Sequence, residues 1–310
     1  MPLLQITHLT TYRYREPVEF GEHRLMLRPR ESYDQRLIDA SLAITPAPSR
    51  LRWLQDVFGN AVAVASFDSS ATELTFQNRV RLSHEPHDPD HILIEDYAKT
   101  YPFTYASEEM SDLLRSIERQ HLDPLRRVDQ WARRFIGNPG RTDTLAMLTA
   151  MSEAIHREFT YVPRPEKGTQ SPLETLASGR GTCRDFAMLM IEAVRALGLA
   201  ARFCSGYLYH PNGRHRRGGG NTHAWVRVYL PGSGWIEFDP TNGTVGSRGL
   251  IRVAVARDIY QAVPISGTYV GPAGAFLDMD VAVDVRPLTP AAPSPNRIPA
   301  DEPLPALLES

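Results

Sequence analysis

The sequence predicts an α+β protein in two parts: a β-rich N-terminal segment, and a core of helices packed on an antiparallel sheet. Three observations predict it. Residues 3 to about 82 read as short β-branched and aromatic runs divided by turns, residues 97–158 carry apolar positions three and four apart, and residues 201–256 return to alternating strands. The chain has 310 residues, of which 42% are hydrophobic, enough to fill two domain cores or one elaborate one.

Within the N-terminal part, strands are expected at 4–14, 61–67 and 71–76, with Gly59-Asn60 as a hairpin turn. The expected arrangement is a β-sandwich with no catalytic pattern in it. Pro86 and Pro89 interrupt the strands, which places a boundary at 84–95. Helices are expected at 107–120, 123–136 and 142–158. The second shows the apolar spacing of Val128, Trp131, Ala132 and Phe135, and Asn138-Pro139-Gly140 separates it from the third. A Pro-rich loop at 163–172 precedes a helix over 183–197 whose inner face is Phe186, Ala187, Met190, Ile191, Val194 and Leu197, with Gly198 as its stop signal. The methionines on this stripe read as ordinary core. Strands follow at 201–209, 222–230, 234–238, 250–256 and 280–285. The tail 287–310 holds seven prolines, a composition that predicts disorder. The expected partition is therefore 1–84 for the β-rich domain, 85–286 for the core with its C-terminal strands, and 287–310 for the tail.

Bulk composition excludes more than it selects. The 34 basic and 36 acidic residues leave a formal net charge of −2, which argues against a surface that holds nucleic acid or membrane by charge. The first twenty residues carry Arg13, Arg15, Glu16 and Glu19 and so lack a secretory apolar core, and no apolar run approaches the roughly 18–20 residues that span a bilayer. Two cysteines make no disulfide framework, and no His/Cys spacing suits zinc. Reduced thiols and a cytoplasmic location are the expectation, and the oligomeric state is left open.

Chemistry gathers around Cys183. Gly179-Arg-Gly-Thr-Cys183-Arg-Asp185 puts a cysteine where a glycine turn enters an apolar helix. There the helix dipole favours a thiolate, and free amides can donate to a neighbouring oxyanion. A cysteine at a helix start is by itself more often structural, so a base must be found. Alternation over 221–230 sets His223, Trp225, Arg227 and Tyr229 on one face. If Pro231-Gly232-Ser233 form a three-residue loop, Leu230 faces Gly234 and Trp225 faces Asp239. Asp239 then lies one diagonal step from His223, about 7–8 Å between backbones. Such a carboxylate orients the imidazole, which in turn takes the thiol proton.

These blocks, Gly181-Thr-Cys183-Arg-Asp185-Phe-Ala, Thr222-His223-Ala-Trp225-Val and Gly234-Trp235-Ile-Glu-Phe-Asp239-Pro-Thr, resemble the bacterial transglutaminase-like family. Thr7-His-Leu-Thr-Thr-Tyr-Arg-Tyr and Leu25-Met-Leu-Arg-Pro-Arg30 resemble its β-rich N-terminal domain. The resemblance covers residues 3–286 and implies a papain-like core. It places nucleophile, base and orienter on Cys183, His223 and Asp239, and the activity it implies is thioester acyl transfer on protein or peptide amides, by hydrolysis or transamidation. Asp185 matches the motif and reads as a structural residue of the first helical turn. Arg257-Asp-Ile-Tyr260 matches a further block that either lines the cleft or turns the chain. Trp225 packs beside the site. A papain-like enzyme has a glutamine six residues before its cysteine; here that position is Ala177, and Tyr161 is the candidate substitute donor. No calcium loop is present, so no cofactor is expected. Cys204 reads as a buried hydrophobe, and the loop 210–221, with Arg214, His215, Arg216 and Arg217, as solvated charge or a substrate rim. The competing functions are a binding or assembly module that keeps the fold without turnover, and a zinc site on the same three residues.

Overall fold

The computed structural model describes residues 2–86, 92–137, 142–163, 168–210 and 222–288. The Asn138-Pro139-Gly140 break, the loop charges at 214–217 and nearly all of the Pro-rich tail lie outside the described residues.

The N-terminal part begins with one long strand, β1 (Leu3–Leu25), followed by β2 (Gln35–Thr45), β3 (Arg50–Gln55), β4 (Ala61–Ser66) and β5 (Ser70–His84). They form a single curled sheet in the order β2-β5-β1-β4-β3. The curl has a cause in the register: the pairing of β1 with β5 slips between Arg13 and Val18, and such irregularities bend a strand and tighten its twist. The β3–β4 hairpin exists, but its loop is longer than the expected Gly59-Asn60 turn. Gln55 faces Ala61, and the Asp56 carboxylate accepts the amides of Phe58 (2.9 Å) and Asn60 (2.8 Å), which draws Val57 and Phe58 into the loop.

The core begins with β6 (Thr100–Tyr101), α1 (Ser107–Ile117), α2 (Arg127–Arg133), β7 (Thr142–Asp143), α3 (Thr144–Glu158), β8 (Thr160–Tyr161), α4 (Pro172–Ser178) and β9 (Arg180–Gly181). The first two helices are shorter than their periodicity suggests. Asp123, expected inside α2, instead accepts the amides of Arg127 (2.8 Å) and Val128 (3.0 Å) from outside it, as a capping carboxylate does. Helix α4 follows the expected Pro-rich loop, in a stretch to which the sequence reading assigns no element. Its signal was there: Pro172 in the first turn, and Ser171 and Glu174 as a reciprocal capping box.

Helix α5 (Cys183–Ala196) is followed by β10 (Ala201–Leu208), β11 (His223–Leu230), β12 (Gly234–Asp239), β13 (Thr244–Val245) and β14 (Leu250–Ala256), which make a sheet in the order β13-β12-β11-β10-β14. α5 is buried nearly all round because β10 and β11 cover one side and α2, α3 and α4 the other. Side chains such as Phe186, Met190, Ile191 and Val194 are fully buried, each worth about 1.5–3 kcal/mol on transfer from water. Glu192 and Arg195 are buried with them and tolerated as a 3.2 Å ion pair.

The last strands depart from the expected partition. β15 (Ile265–Val270) and β16 (Phe276–Pro287), grouped with the core on sequence, pair antiparallel with β1 in the N-terminal sheet. They occupy the edge of β1 that would otherwise expose a row of unpaired amides and carbonyls. Two sheets thus face each other, Leu4, Ile6, Val80 and Leu82 of the first packing on Tyr207, Ile251 and Val253 of the second.

Candidate active site

The turn that delivers Cys183 is tightly built. β8 and β9 pair in parallel, with Val162 N–H donating to Gly181 O at 2.9 Å. A Cβ on Gly181 would come within 2.8 Å of the Asp185 Cβ and 3.1 Å of the Phe186 ring, so only glycine lets the strand run this close to the helix. Asp185 is fully buried and accepts from Thr182 N–H (2.8 Å), Thr182 Oγ1 (2.9 Å) and Gln170 N–H (2.7 Å). It holds the chain on both sides of the helix start, and Cys183 is the first residue of α5, among amides that have no intrahelical acceptor.

His223 opens β11 and Asp239 closes β12, and the register is the one derived from a three-residue loop: Leu230 faces Gly234 and Val226 faces Phe238. His223 Nε2 donates to Asp239 Oδ2 at 2.9 Å, and neither side chain is exposed to solvent. Asp239 also accepts from Asn242 Nδ2 (2.7 Å) and from the amide of Thr241 (3.0 Å). Burial alone would raise its pKa, but His223, Asn242 and the Thr241 amide together hold it below the usual carboxylate value. On His223, burial works against the charged ring. The attraction and hydrogen bond of Asp239, with a further contribution from Cys183, outweigh it and raise the pKa to about 10. Cys183 is therefore close enough to act on the ring, while Nδ1 makes no hydrogen bond of ordinary geometry. Such a contact is often long in a ligand-free site. The three residues named from sequence are brought together. Nε2 is committed to Asp239, and among the described residues no group of His, Cys, Asp and Glu is placed to hold a metal.

The other candidates scatter. Trp225 is buried and stacks beside His223, with ring centroids 6.0 Å apart at 25°, and does not reach the cleft. Gly206, directly opposite His223, makes room for it: a Cβ there would lie 2.8 Å from Trp225 Cη2 and nearly on the Ile251 carbonyl. Tyr161 sits on β8 against Phe186; burial, with Cys183 and then Asp185 adding, pushes its hydroxyl up to about 12. Neither Arg257 nor Asp258 lines the cleft. The Arg257 carbonyl accepts from Arg195 Nη2 (2.6 Å), and the Asp258 carboxylate caps a short turn through the Tyr260 amide (3.0 Å). Tyr260, exposed at the end of that turn, does line it. Cys204 is wholly buried among Leu208, Trp225, Leu250 and Val255, and burial pushes its thiol up to about 12.

Cys183 opens on a cleft of about 820 Å³. Thr182, Arg184, Thr222 and Tyr260 line it together with Cys183, and the N-terminal sheet supplies another wall, including His8, Thr10, Tyr12 and Tyr14 of β1. Sequence reasoning missed this wall, although the alternation of His8, Thr10, Tyr12 and Tyr14 gave a signal. Polar and aromatic residues stand there at the positions a sandwich strand would fill with aliphatic ones.

A helix-borne cysteine facing a strand-borne His–Asp pair, under a β-rich N-terminal layer, defines a class of protein that the comparisons identify. Residues 129–240 match the transglutaminase-like superfamily, and residues 4–83 match the bacterial transglutaminase-like N-terminal region. An uncharacterized protein of Mycobacterium tuberculosis is 30% identical over 295 residues, covering 91% of this chain and 92% of that protein. The chain belongs to the transglutaminase-like superfamily. A solved structure from Cytophaga hutchinsonii, provisionally described as a cysteine protease, superimposes with a TM-score of 0.70 at 20% identity. It covers 94% of this chain and 92% of that one, in keeping with a papain-like core. A protein-glutamine gamma-glutamyltransferase of Pseudomonas aeruginosa is 28% identical over 148 residues, which are 41% of this chain but 22% of that protein.

Proposed function

We infer that the chain is a thiol acyl-transfer enzyme acting on protein or peptide amides. The observation that carries this reading is the buried 2.9 Å His223–Asp239 pair coupled to Cys183 at the first turn of α5, with the sulfur opening on a cleft. The Cys183 thiolate attacks the amide carbonyl and forms the C–S bond. The C–N bond breaks as the His223 imidazolium gives its proton to the departing amine, which leaves a thioester. Water or a second amine then attacks the thioester carbonyl and gives a proton to His223, and the sulfur leaves as thiolate. Asp239 keeps the ring in one orientation throughout. Membership of the superfamily and the local similarity to a protein-glutamine gamma-glutamyltransferase support a glutamine side-chain amide or a peptide bond as the acyl donor. A cytoplasmic, reducing location is part of the proposal, since an oxidised Cys183 could not act as the nucleophile.

The test is alkylation by iodoacetamide near neutral pH. Cys183 should react far faster than the buried Cys204, and His223→Ala should suppress that rate. Slow, equal labelling of both thiols would refute the enzyme reading and leave a non-catalytic binding module in its place. Incubation with Gln-containing peptides, with and without a primary amine, then separates cleavage, deamidation and amine incorporation by product mass.

A further inference from the structure

The wall opposite Cys183 continues a surface that is dry core at its other end. Along β1, Leu4 and Ile6 pack against Tyr207 and Ile251 of the core sheet, whereas Thr10, Tyr12 and Tyr14 on the same face line the cleft. The strand partners extend the wall: Val281 faces Thr10, Met279 faces Tyr12 and Phe276 faces Tyr14. His8 still meets Tyr207 of the core sheet, but beyond it the cleft lies between β1 and the start of α5 with the 259–264 turn. The chemistry of the β1 and β16 wall is largely aromatic and uncharged. Tyr14 packs edge-on to Tyr269 (4.8 Å) and Phe276 (6.0 Å). His8 has both ring nitrogens engaged, by the Tyr207 hydroxyl and the Thr10 hydroxyl at 3.0 Å each, and burial pushes its pKa down to about 4. His23 is likewise lowered by burial, and its Nδ1–H donates to Gly21 O at 2.9 Å. Among the described lining residues there is no carboxylate and no lysine. The one cation, Arg184 beside Cys183, lies 5.4 Å over the Phe203 ring and donates to Ala262 O at 3.3 Å. A charged group seated against β1 and β16, away from Arg184, would shed its hydration with no described carboxylate or lysine there to pair with.

We propose that the wall formed by β1 and β16 is a substrate subsite, which binds an uncharged aromatic or aliphatic segment flanking the amide that Cys183 attacks. The proposal rests on the acyl-transfer reading and adds a substrate class to it: the N-terminal sheet selects the flanking sequence, while the core supplies the chemistry. A cleft of about 820 Å³ is within the range of roughly 300–1,000 Å³ that buries most of a drug-sized ligand, more than one side-chain amide needs.

The experiment uses the full chain and four alkylating probes: iodoacetamide, and N-substituted iodoacetamides of matched length ending in a phenyl, a carboxylate or a trimethylammonium group. Each rate of Cys183 modification, read by mass spectrometry, is divided by the same probe's rate on glutathione. The phenyl probe should exceed iodoacetamide by roughly ten- to a hundredfold, the gain expected for burying one aromatic ring, and should saturate with concentration. The carboxylate and ammonium probes should show no such gain. Met279 is half exposed on β16, so Met279→Glu should be tolerated by the fold and should bring the phenyl-to-iodoacetamide ratio close to one. A phenyl probe with no advantage, or an advantage that survives Met279→Glu, overturns the proposal. Slow iodoacetamide labelling that ignores His223→Ala overturns the catalytic reading instead. The normalised ratio is still readable in that case, so the two failures are distinct.

Discussion

The His223 ring is charged because a buried carboxylate outweighs the cost of burying it, and that balance can be tipped at one atom. Asp239→Asn keeps the shape but removes the charge, leaving burial as the dominant influence on the ring. The imidazole pKa should then fall from about 10 to or below its ordinary 6.5, and the alkaline limb of the activity profile should move down with it. A folded-state pKa raised to about 10 contributes stability that is fully present below 6.5 and is lost as pH rises through 10, so urea midpoints of the wild type should drop over that window and those of Asp239→Asn should not. The pair was legible in sequence because one loop length sets the register of β11 on β12. Of the cleft candidates only Tyr260 lines the cleft, because Arg257 and Asp258 are held by hydrogen bonds with Arg195, 62 residues away, and with the Tyr260 amide that no periodicity encodes. Gly206 makes a second test. Gly206→Ala would drive a methyl into the Ile251 carbonyl and the Trp225 ring, destabilising the protein by roughly 1–3 kcal/mol as overpacking does. Displaced Trp225 would also shift its fluorescence and slow Cys183 alkylation through the neighbouring His223.

At the scale of elements, the two sheets are fastened by one buried cation. Arg252 on β14 bonds to Asp34 and Ser32 in the loop after β1 and, through Nη1, to Glu237 on β12 at 2.8 Å. On Asp34, burial is outweighed by the hydrogen bond and attraction of Arg252, with Ser32 and His84 adding, which holds its pKa at about 2. That depressed value contributes stability above the ordinary 3.8, and the contribution disappears as pH falls through about 2, so urea midpoints should fall over that window. Arg252→Met fills the space but leaves the buried Asp34 carboxylate without its cation and Glu237 with Arg227 alone. A loss of roughly 3–5 kcal/mol is expected, measured by urea denaturation at pH 7. Replacing all three charged groups by apolar residues should recover much of it. The elements joined here were found from sequence with good bounds in the core, where β14 and the α5 start match their expected limits, because alternation and a glycine-flanked cap are strong local signals. Arg252 itself gave no signal, since its partners lie over two hundred residues away or on another strand.

The whole molecule is less divisible than its sequence suggests. Composition shifts near residue 84 and invites a cut between a β-rich domain and a catalytic core, yet the final strands cross back over that boundary. β16 pairs with β1 from Leu4 to Tyr14 and β15 from Glu19 to Leu25, so one complete edge of the N-terminal sheet is made of residues 265–287. No local pattern announces a partner more than two hundred residues distant, which is why strand 280–285 was assigned to the core. Residues 1–84 alone would leave β1 with an open edge and would remove Ala275 and Phe276 from the cluster around Tyr14 and Phe20. That fragment is expected to aggregate or stay unfolded rather than give a dispersed amide spectrum. In the intact chain, by contrast, far-UV dichroism and tryptophan fluorescence should report one coincident urea transition, since Trp53 lies in the first sheet and Trp131, Trp225 and Trp235 in the core. Truncation after residue 264 should split it: the core tryptophans keep a transition at higher urea, while the N-terminal sheet becomes sensitive to protease under native conditions. If 1–84 folds by itself, or the truncated chain still unfolds in one step, the returning strands are an accessory rather than the edge that closes the sheet.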